Sequence, residues 1–396
     1  MLIGLVGKPS CGKSTFFKAA TLAEVLIASY PFATIKPNNG VAYVRVECID
    51  KELNTQCMPR TGFCKDHLRF VPVELMDVAG LVEGASEGKG LGNQFLDDLR
   101  QADAFIHIID ISGKTDKEGK EISNSNSEQP IEDVKMLENE LNLWYEGILK
   151  KVWKTFSRTI QTQHKNFAQE VAEQFSGLKA KEEDIKSVLL KLKYDAEKPA
   201  DWTDEQISNF AKELRMKTKP MILAANKIDQ TEAKENLEKL KQAYPEYSII
   251  PCSADSELAL REASKAGLIE YIPGEKDFKI LKDLNEKQKQ ALEDIKKNVL
   301  DVYGSTGIQD ILDKTIFELL DYIAVFPASA TKLGDSKGNI LPDCFLVPNG
   351  TTALDFAFIV HTDLGNNFIK AIDAKTKKPV GKEHPLKHRD GIEIIT

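Results

Sequence analysis

The sequence predicts an α/β protein: a mostly parallel, doubly wound sheet with an α-helical insertion, followed by a small β-rich module at the C-terminal end. Three observations predict this. Residues 1–15 read as a short apolar strand, a glycine-containing loop and the start of a helix. Apolar runs that stop at polar loops recur at Ala104–Asp110, Met221–Ala225 and Ser248–Ala254, the pattern of strands buried in a parallel sheet. From Ile131 to Thr218 the apolar residues instead return at helical spacing, and sheet-like sequence resumes only afterwards.

The first element organises the rest. Leu2 to Val6 is the strand, and Gly7-Lys-Pro-Ser-Cys-Gly-Lys-Ser14 fits G-x-x-x-x-G-K-[ST], with Thr15 opening the helix. Strand, loop and helix in that order make a phosphate-binding P-loop. Gly7 and Gly12 let the backbone of Gly7, Lys8, Pro9, Ser10, Cys11, Gly12 and Lys13 curl so that N–H groups face phosphate oxygens. The helix N-terminus adds positive potential. Lys13 would place an ammonium on the outer phosphates and Ser14 a hydroxyl on Mg²⁺.

Ala28 to Gly40 holds two prolines and an Asn-Asn-Gly turn, so it reads as a loop, and Thr34 lies inside it. A loop threonine at this point can close on Mg²⁺ and the γ-phosphate. Val41–Val46 and Leu68–Met76 read as strands. Cys57, Cys64 and His67 fall in their connection, with a spacing that fits no zinc pattern and with no fourth ligand among them. Asp77 ends a strand and opens Asp77-Val-Ala-Gly80-Leu81; it is the expected Walker-B carboxylate for Mg²⁺. Gly80 leaves room for its N–H to approach the γ-phosphate, and the glycines from Gly84 to Gly92 predict a mobile loop. Asp110, at the end of the next strand, is the rival metal carboxylate but lacks the following x-x-Gly. His107, in mid-strand, reads as a core residue.

Residues 112–130 are rich in Ser, Asn, Lys and Glu and read as an exposed loop. Leu137, Leu141, Trp144, Ile148, Val152 and Phe156 form the apolar stripe of the following helix. Between residues 150 and 165 stand Lys150, Lys151, Lys154, Arg158 and Lys165 with no acidic residue. That face suits RNA phosphates, or equally solvent. A last helix of the block carries the capping box Thr203-x-x-Gln206.

Asn226-Lys-Ile-Asp229 follows the next strand. N-K-x-D reads a base. The Asp229 carboxylate accepts from guanine N1–H and the 2-amino group, Asn226 reaches N7 and ties the loop to the P-loop, and the Lys227 stem covers the base. Ser253-Ala254, at the end of a further strand, brings the Ala254 N–H to O6. Adenine would mismatch both, and buried hydrogen bonds of this kind discriminate strongly. Residues 285–303 and 308–323 read as helices, and Ala324 to Ser329 as the boundary to the last module. That module alternates, has one helix near Thr352–His361, and between 370 and 389 carries seven basic residues against two acidic, a local charge of 7 − 2 = +5. The expected domains are 1–125 with 216–324, the insertion 126–215, and 325–396.

At 396 residues the chain is long enough for two or three domains. A net charge of −8 argues against indiscriminate nucleic-acid binding. Six scattered cysteines suit a reducing compartment better than a disulfide framework. No apolar stretch has the length of a membrane span and no basic segment precedes the first strand, so a cytoplasmic protein without a signal peptide is expected.

These pieces resemble the Obg-related GTPases, and within them the YchF / Obg-like ATPase branch in its archaeal form. The matching residues are Gly7–Ser14, Tyr30–Asn38, Asp77–Ala85, Gly88–Gln94, the helical insertion and a C-terminal segment, Thr352–Gly365, that looks like a TGS domain. The resemblance implies a P-loop G domain, GTP and GDP as ligands, Mg²⁺ held by Ser14, Thr34 and Asp77, and Lys13, Thr34 and Gly80 at the reacting phosphate. It also implies a ribosome or structured RNA as partner through the TGS domain and the basic helix, no membrane, and a monomer. Three departures stand out. Bacterial and eukaryotic relatives carry N-x-x-E and favour ATP, whereas this chain keeps N-K-I-D. They often have a catalytic histidine after the Asp110 strand, and residues 111–130 have none. Many Obg-like P-loops have an Asn that helps K⁺ bind where Ser10 stands here. Leu81 occupies the position of the water-orienting glutamine of Ras-type enzymes, so slow intrinsic hydrolysis is expected.

Overall fold

The computed structural model describes residues 1–21, 39–77, 100–123, 125–329, 333 and 338–396. Thr34, Gly80 and Leu81 lie outside the described residues. Among those described, the main sheet runs β2 (Asn39–Glu47), β4 (Leu68–Asp77), β1 (Leu2–Val6), β5 (Ala104–Asp110), β6 (Met221–Asn226), β7 (Ile249–Cys252), with β3 (Phe63–Lys65) also on β4. β4, β1, β5, β6 and β7 are parallel, while β2 and β3 are antiparallel to β4.

Strand periodicity divides the sheet's two faces into two cores. Leu2, Val6, Phe105, Ile109, Met221, Leu223 and Ala225 face one. Ile3, Leu5, Ile106, Ile108, Ile222 and Ala224 face the other. The first face is covered by α2 (Gln129–Gln163), α5 (Asp204–Thr218) and α6 (Ala233–Ala243), and the second by α1 (Lys13–Thr21) and α9 (Ile308–Lys314).

The helical block consists of α2, α3 (Phe167–Gln174), α4 (Glu182–Leu192) and α5. Its centre is aromatic: Trp202 lies 5.2–5.4 Å, ring to ring, from Trp153, Phe167 and Phe210. The capping box at Thr203 forms as expected, with Thr203 N donating to Gln206 Oε1 at 2.9 Å and Gln206 N donating to Thr203 Oγ1 at 3.2 Å. The apolar stripe needs correction. Leu137, Leu141 and Trp144 are buried, but further along the buried positions become Leu149, Trp153 and Ile160, while Val152 and Phe156 are only half-buried. A four-residue repeat drifts off a 3.6-residue helix.

After β7 come α7 (Ala254–Lys265), the hairpin β8 (Ile269–Tyr271) and β9 (Phe278–Ile280), and α8 (Glu286–Ile295). The expectation of a helix to residue 323 fails: α9 continues through a π turn only to Leu319, and Tyr322–Pro327 is strand β10. The run Tyr-Ile-Ala-Val-Phe is β-branched and aromatic enough for either state, and pairing decides it. β10 is an interior strand of the second sheet, whose order is β11 (Phe345–Pro348), β10, β14 (Asp390–Ile395), β12 (Lys370–Asp373), β13 (Pro379–Val380). It runs parallel to β14 and antiparallel to β11. The last module therefore includes residues from Tyr322 onward. Its helix α10 (Ala353–Val360) starts at Thr352, whose hydroxyl accepts from Asp355 N at 3.2 Å. No helix among the described residues is long and apolar enough to cross a membrane.

Candidate nucleotide site

The parallel strands β1, β4, β5, β6 and β7 bring their C-terminal ends to one edge of the sheet, where this topology places ligands. Gly7 is wedged: a Cβ there would lie 2.6 Å from Ile108 O. Gly12 has φ +93°, and a Cβ there would lie 2.2 Å from Asn226 Nδ2. Only glycine allows that approach, and it permits a key bond, Asn226 Nδ2 donating to Cys11 O at 2.9 Å. The base loop is thus tied to the phosphate loop. Lys227 reinforces the link, its ammonium donating to Ser10 O at 3.0 Å and pairing with Asp110 Oδ2 at 2.8 Å.

At the start of α1, Lys13 Nζ lies 2.7 Å from Asp77 Oδ1, and Ser14 Oγ donates to Asp77 Oδ2 at 3.1 Å. Thr15 lies in the same first turn. One ammonium, one hydroxyl and one carboxylate meet at the helix N-terminus. The hydroxyl and carboxylate oxygens are the hard donors that Mg²⁺ takes, so these residues fit the ion. Asp110, the rival, is fully buried and bound by Ser112, Thr115 and Lys227 at 2.5, 2.9 and 2.8 Å. These bonds, above all that from Lys227, hold its carboxyl below the usual range against burial. It shapes the loop beneath the site rather than facing Lys13 and Ser14.

At the base end Asp229 is exposed, its carboxylate accepting from Ser253 Oγ at 2.8 Å and Gln230 Nε2 at 2.8 Å. Ser253 caps α7, and Ala254 N donates to Asn226 Oδ1 at 3.0 Å. The expectation that this N–H is free for a base oxygen is thus corrected: the Asn226 amide holds it, because the same amide bridges the loops at Cys11 and Ala254. Cys11 and Cys252, both buried beside Asn226, are inert thiols; burial pushes the Cys11 thiol up to about 11.

Two further expectations change. Lys8 contributes its backbone to the loop, but its side chain is buried away from it. Lys8 Nζ donates to Thr115 O at 2.9 Å and pairs with Asp133 Oδ2 at 2.8 Å on α2. The described part of residues 112–130 is not simply an exposed loop either. Ser112 and Thr115 are buried on Asp110, Thr115 bridges to Glu121, and Gly119 packs on Pro9. Its polar composition serves internal hydrogen bonds. His107 is buried, as expected of a core residue, and burial pushes it down to about 3.

Residues 2–139 match the family described as 50S ribosome-binding GTPase, residues 224–329 the G4 motif-containing domain of Obg-like, YGR210-like GTPases, and residues 335–396 the TGS domain. An uncharacterized GTP-binding protein of Methanocaldococcus jannaschii is 49% identical over 100% of this chain and 99% of its own length. The chain belongs to the YchF-type, Obg-like GTPase family. A Schizosaccharomyces pombe GTP-binding protein shares 38% identity over 89% of this chain and 88% of its own. The crystal structure of a GTP binding protein from Pyrococcus horikoshii OT3 superposes with a TM-score of 0.80 at 38% identity, covering 100% of both chains. Bacillus subtilis YchF, named a ribosome-binding ATPase, shares 27% identity over 93% of this chain and 87% of its own. As a YchF-type chain it is a P-loop NTPase that keeps N-K-I-D at the base loop.

Proposed function

We propose that this protein is a GTP-dependent switch that binds GTP and GDP with Mg²⁺, hydrolyses GTP slowly, and acts on the ribosome or structured RNA in the cytoplasm. One observation carries the guanine reading. The Asn226 amide locks N-K-I-D to both the P-loop and the Ser253-Ala254 loop, and Asp229 stands at the exposed end with two carboxylate oxygens for N1–H and the 2-amino group. Lys13, Ser14 and Asp77 supply the charge and the oxygen donors for the phosphates and Mg²⁺, with Thr34 and Gly80 closing on the γ-phosphate. Leu81 offers no hydrogen-bonding group to a water, so fast turnover requires a partner or another loop.

A second reading, ATP as substrate, has one observation in its favour: the Ala254 N–H that would reward a guanine O6 is held by Asn226. Competition calorimetry with GTP and ATP at saturating Mg²⁺ separates the two. GTP should win, and Asp229→Asn should weaken GTP by about tenfold or more while improving xanthosine triphosphate, since the amide inverts the donor pattern. Equal affinity for ATP, or unchanged base preference in Asp229→Asn, refutes the guanine reading.

The ribosomal part rests on the names of relatives and on two basic surfaces. Lys151, Lys154 and Arg158 are exposed on α2, and Lys370, Lys377, Lys378, Lys382 and Lys387 on the TGS module. Lys150 pairs with Glu146 and Lys165 with Glu170, which weakens the helix's share. Co-sedimentation with ribosomes at fixed salt, stronger with a GTP analogue than with GDP, is the expected result.

A further inference from the structure

Cysteines 57 and 64, unpromising as a zinc pattern in sequence, acquire partners in the fold. The β2–β4 pairing folds the chain back on itself, so the residues just after β2 meet those just before and within β3. Cys48, Asp50, Cys57 and Cys64 come together with Sγ and carboxylate oxygen atoms all within 4.8 Å of one another. Three are buried, Asp50 completely, and the group sits inside the core on the P-loop side of the sheet. Three soft sulfurs and one carboxylate oxygen are the donor set of a tetrahedral zinc site. A tetrahedron with zinc–sulfur arms of about 2.3 Å has edges of about 3.8 Å, so closing this cluster onto an ion takes a contraction of about an ångström at most.

The surroundings fit an anionic site. Arg69, fully buried, directs NH1 to Cys57 Sγ at 3.8 Å, supplying positive charge beside the thiolates. Asp50 is oriented from both sides. His67 Nδ1 lies 2.9 Å from Oδ1, and Cys57 N donates to Oδ2 at 3.0 Å. Such partners around a ligand are what hold metal sites in shape.

We propose that Cys48, Cys57, Cys64 and Asp50 bind a zinc ion. The ion staples the β2–β4 connection, releasing the thiol protons as it binds. The stapled segment is also the platform for the TGS module. Met58 N donates to Ile340 O and Arg60 N to Pro342 O, both at 2.8 Å, and Arg69 holds Leu341 O and Pro342 O at 3.2 and 2.8 Å. The ion would therefore set the seat of the C-terminal module, a role separate from nucleotide binding at the other end of β4.

The test uses the full chain, expressed with zinc supplied and purified without chelator. Elemental analysis should find stoichiometric zinc. Exchange for Co²⁺ should give thiolate-to-cobalt charge-transfer bands and the strong visible bands of a tetrahedral site. Cys48→Ser and Cys64→Ser should each lose the metal, and Asp50→Asn should weaken it. Stripping zinc should raise hydrogen exchange at residues 340–344. Wild-type protein without stoichiometric metal and without cobalt bands overturns the proposal, as does a disulfide within the cluster in freshly purified protein. Because the wild-type measurements decide, a variant that fails to fold does not protect the idea.

Discussion

The helical block and the TGS module are both fastened to the same sheet, but on opposite faces and by different means. The block shares one continuous apolar core with the sheet, running from Leu2, Val6 and Phe105 through Val134, Leu137 and Trp144 to Trp153 and Phe210. Its polar anchors include the buried pair Lys8–Asp133, which reaches from the P-loop itself, the Tyr247 hydroxyl donating to Glu138, and a partly exposed pair, Lys179–Asp103. The TGS module keeps a core of its own, Ile323, Val325, Val347, Phe356 and Ile392. Its joint adds polar contacts to the apolar ones: Arg69 on two carbonyls, Arg389 on Glu47 and Glu52, and Lys375 on Glu52 at 2.8 Å. A joint carried mostly by apolar contact should respond less to salt than one with several exposed ion pairs. The block is tied to the phosphate loop through Lys8, while the module is seated by charge and hydrogen bonds.

The sharpest way to break the contrast is Phe210→Ala. It hollows the aromatic centre of the block and should cost up to about 5 kcal/mol, read as faster hydrogen exchange in α2 and α5 with the TGS strands unchanged. Lys8→Met comes next. It leaves Asp133 buried without its cation, at a cost of about 3 kcal/mol, and the double variant with Asp133→Leu should recover much of it. If single and double variants melt together, the pair does not couple the P-loop to α2. Arg69→Met should cost about 1.5–3 kcal/mol through its buried bonds to Leu341 and Pro342, with exchange rising at 340–342 and not in the block. Arg389→Ala is the smallest. Its partly exposed pairs are worth about 1 kcal/mol or less, and the difference from wild type should fade in high salt. A salt-sensitive block or a salt-indifferent TGS joint would reverse the comparison.

What could be read in the sequence follows the range of the interactions. The P-loop, Asp77 and N-K-I-D are contiguous signatures whose backbone geometry is local, and the fold brings Lys13, Ser14 and Asp77 together at one end of the site and Asn226, Asp229 and Ser253 at the other. The side chain of Lys8 was not legible, because its partner Asp133 is 125 positions away and belongs to an inserted helix. Ser112 and Thr115 looked like loop polarity until Asp110 was seen to need them. Strand β10 looked like a helix end because a short apolar run has no decisive period. Cys48 and Asp50 could have been found by asking which residues a β2–β4 hairpin places beside Cys57 and Cys64.

Strand β10 has a practical consequence for anyone dissecting this protein. Ile323 and Val325 point into the module's core while Ala324 and Phe326 point into that of the main sheet. A truncated G domain ending near residue 324 would cut β10 in half, take Phe326 out of the main sheet's core, and strip Leu341 and Cys344 from the apolar surface they cover. Such a fragment is a candidate for inclusion bodies, and studies of the isolated nucleotide-binding half are better served by point substitution in the intact chain.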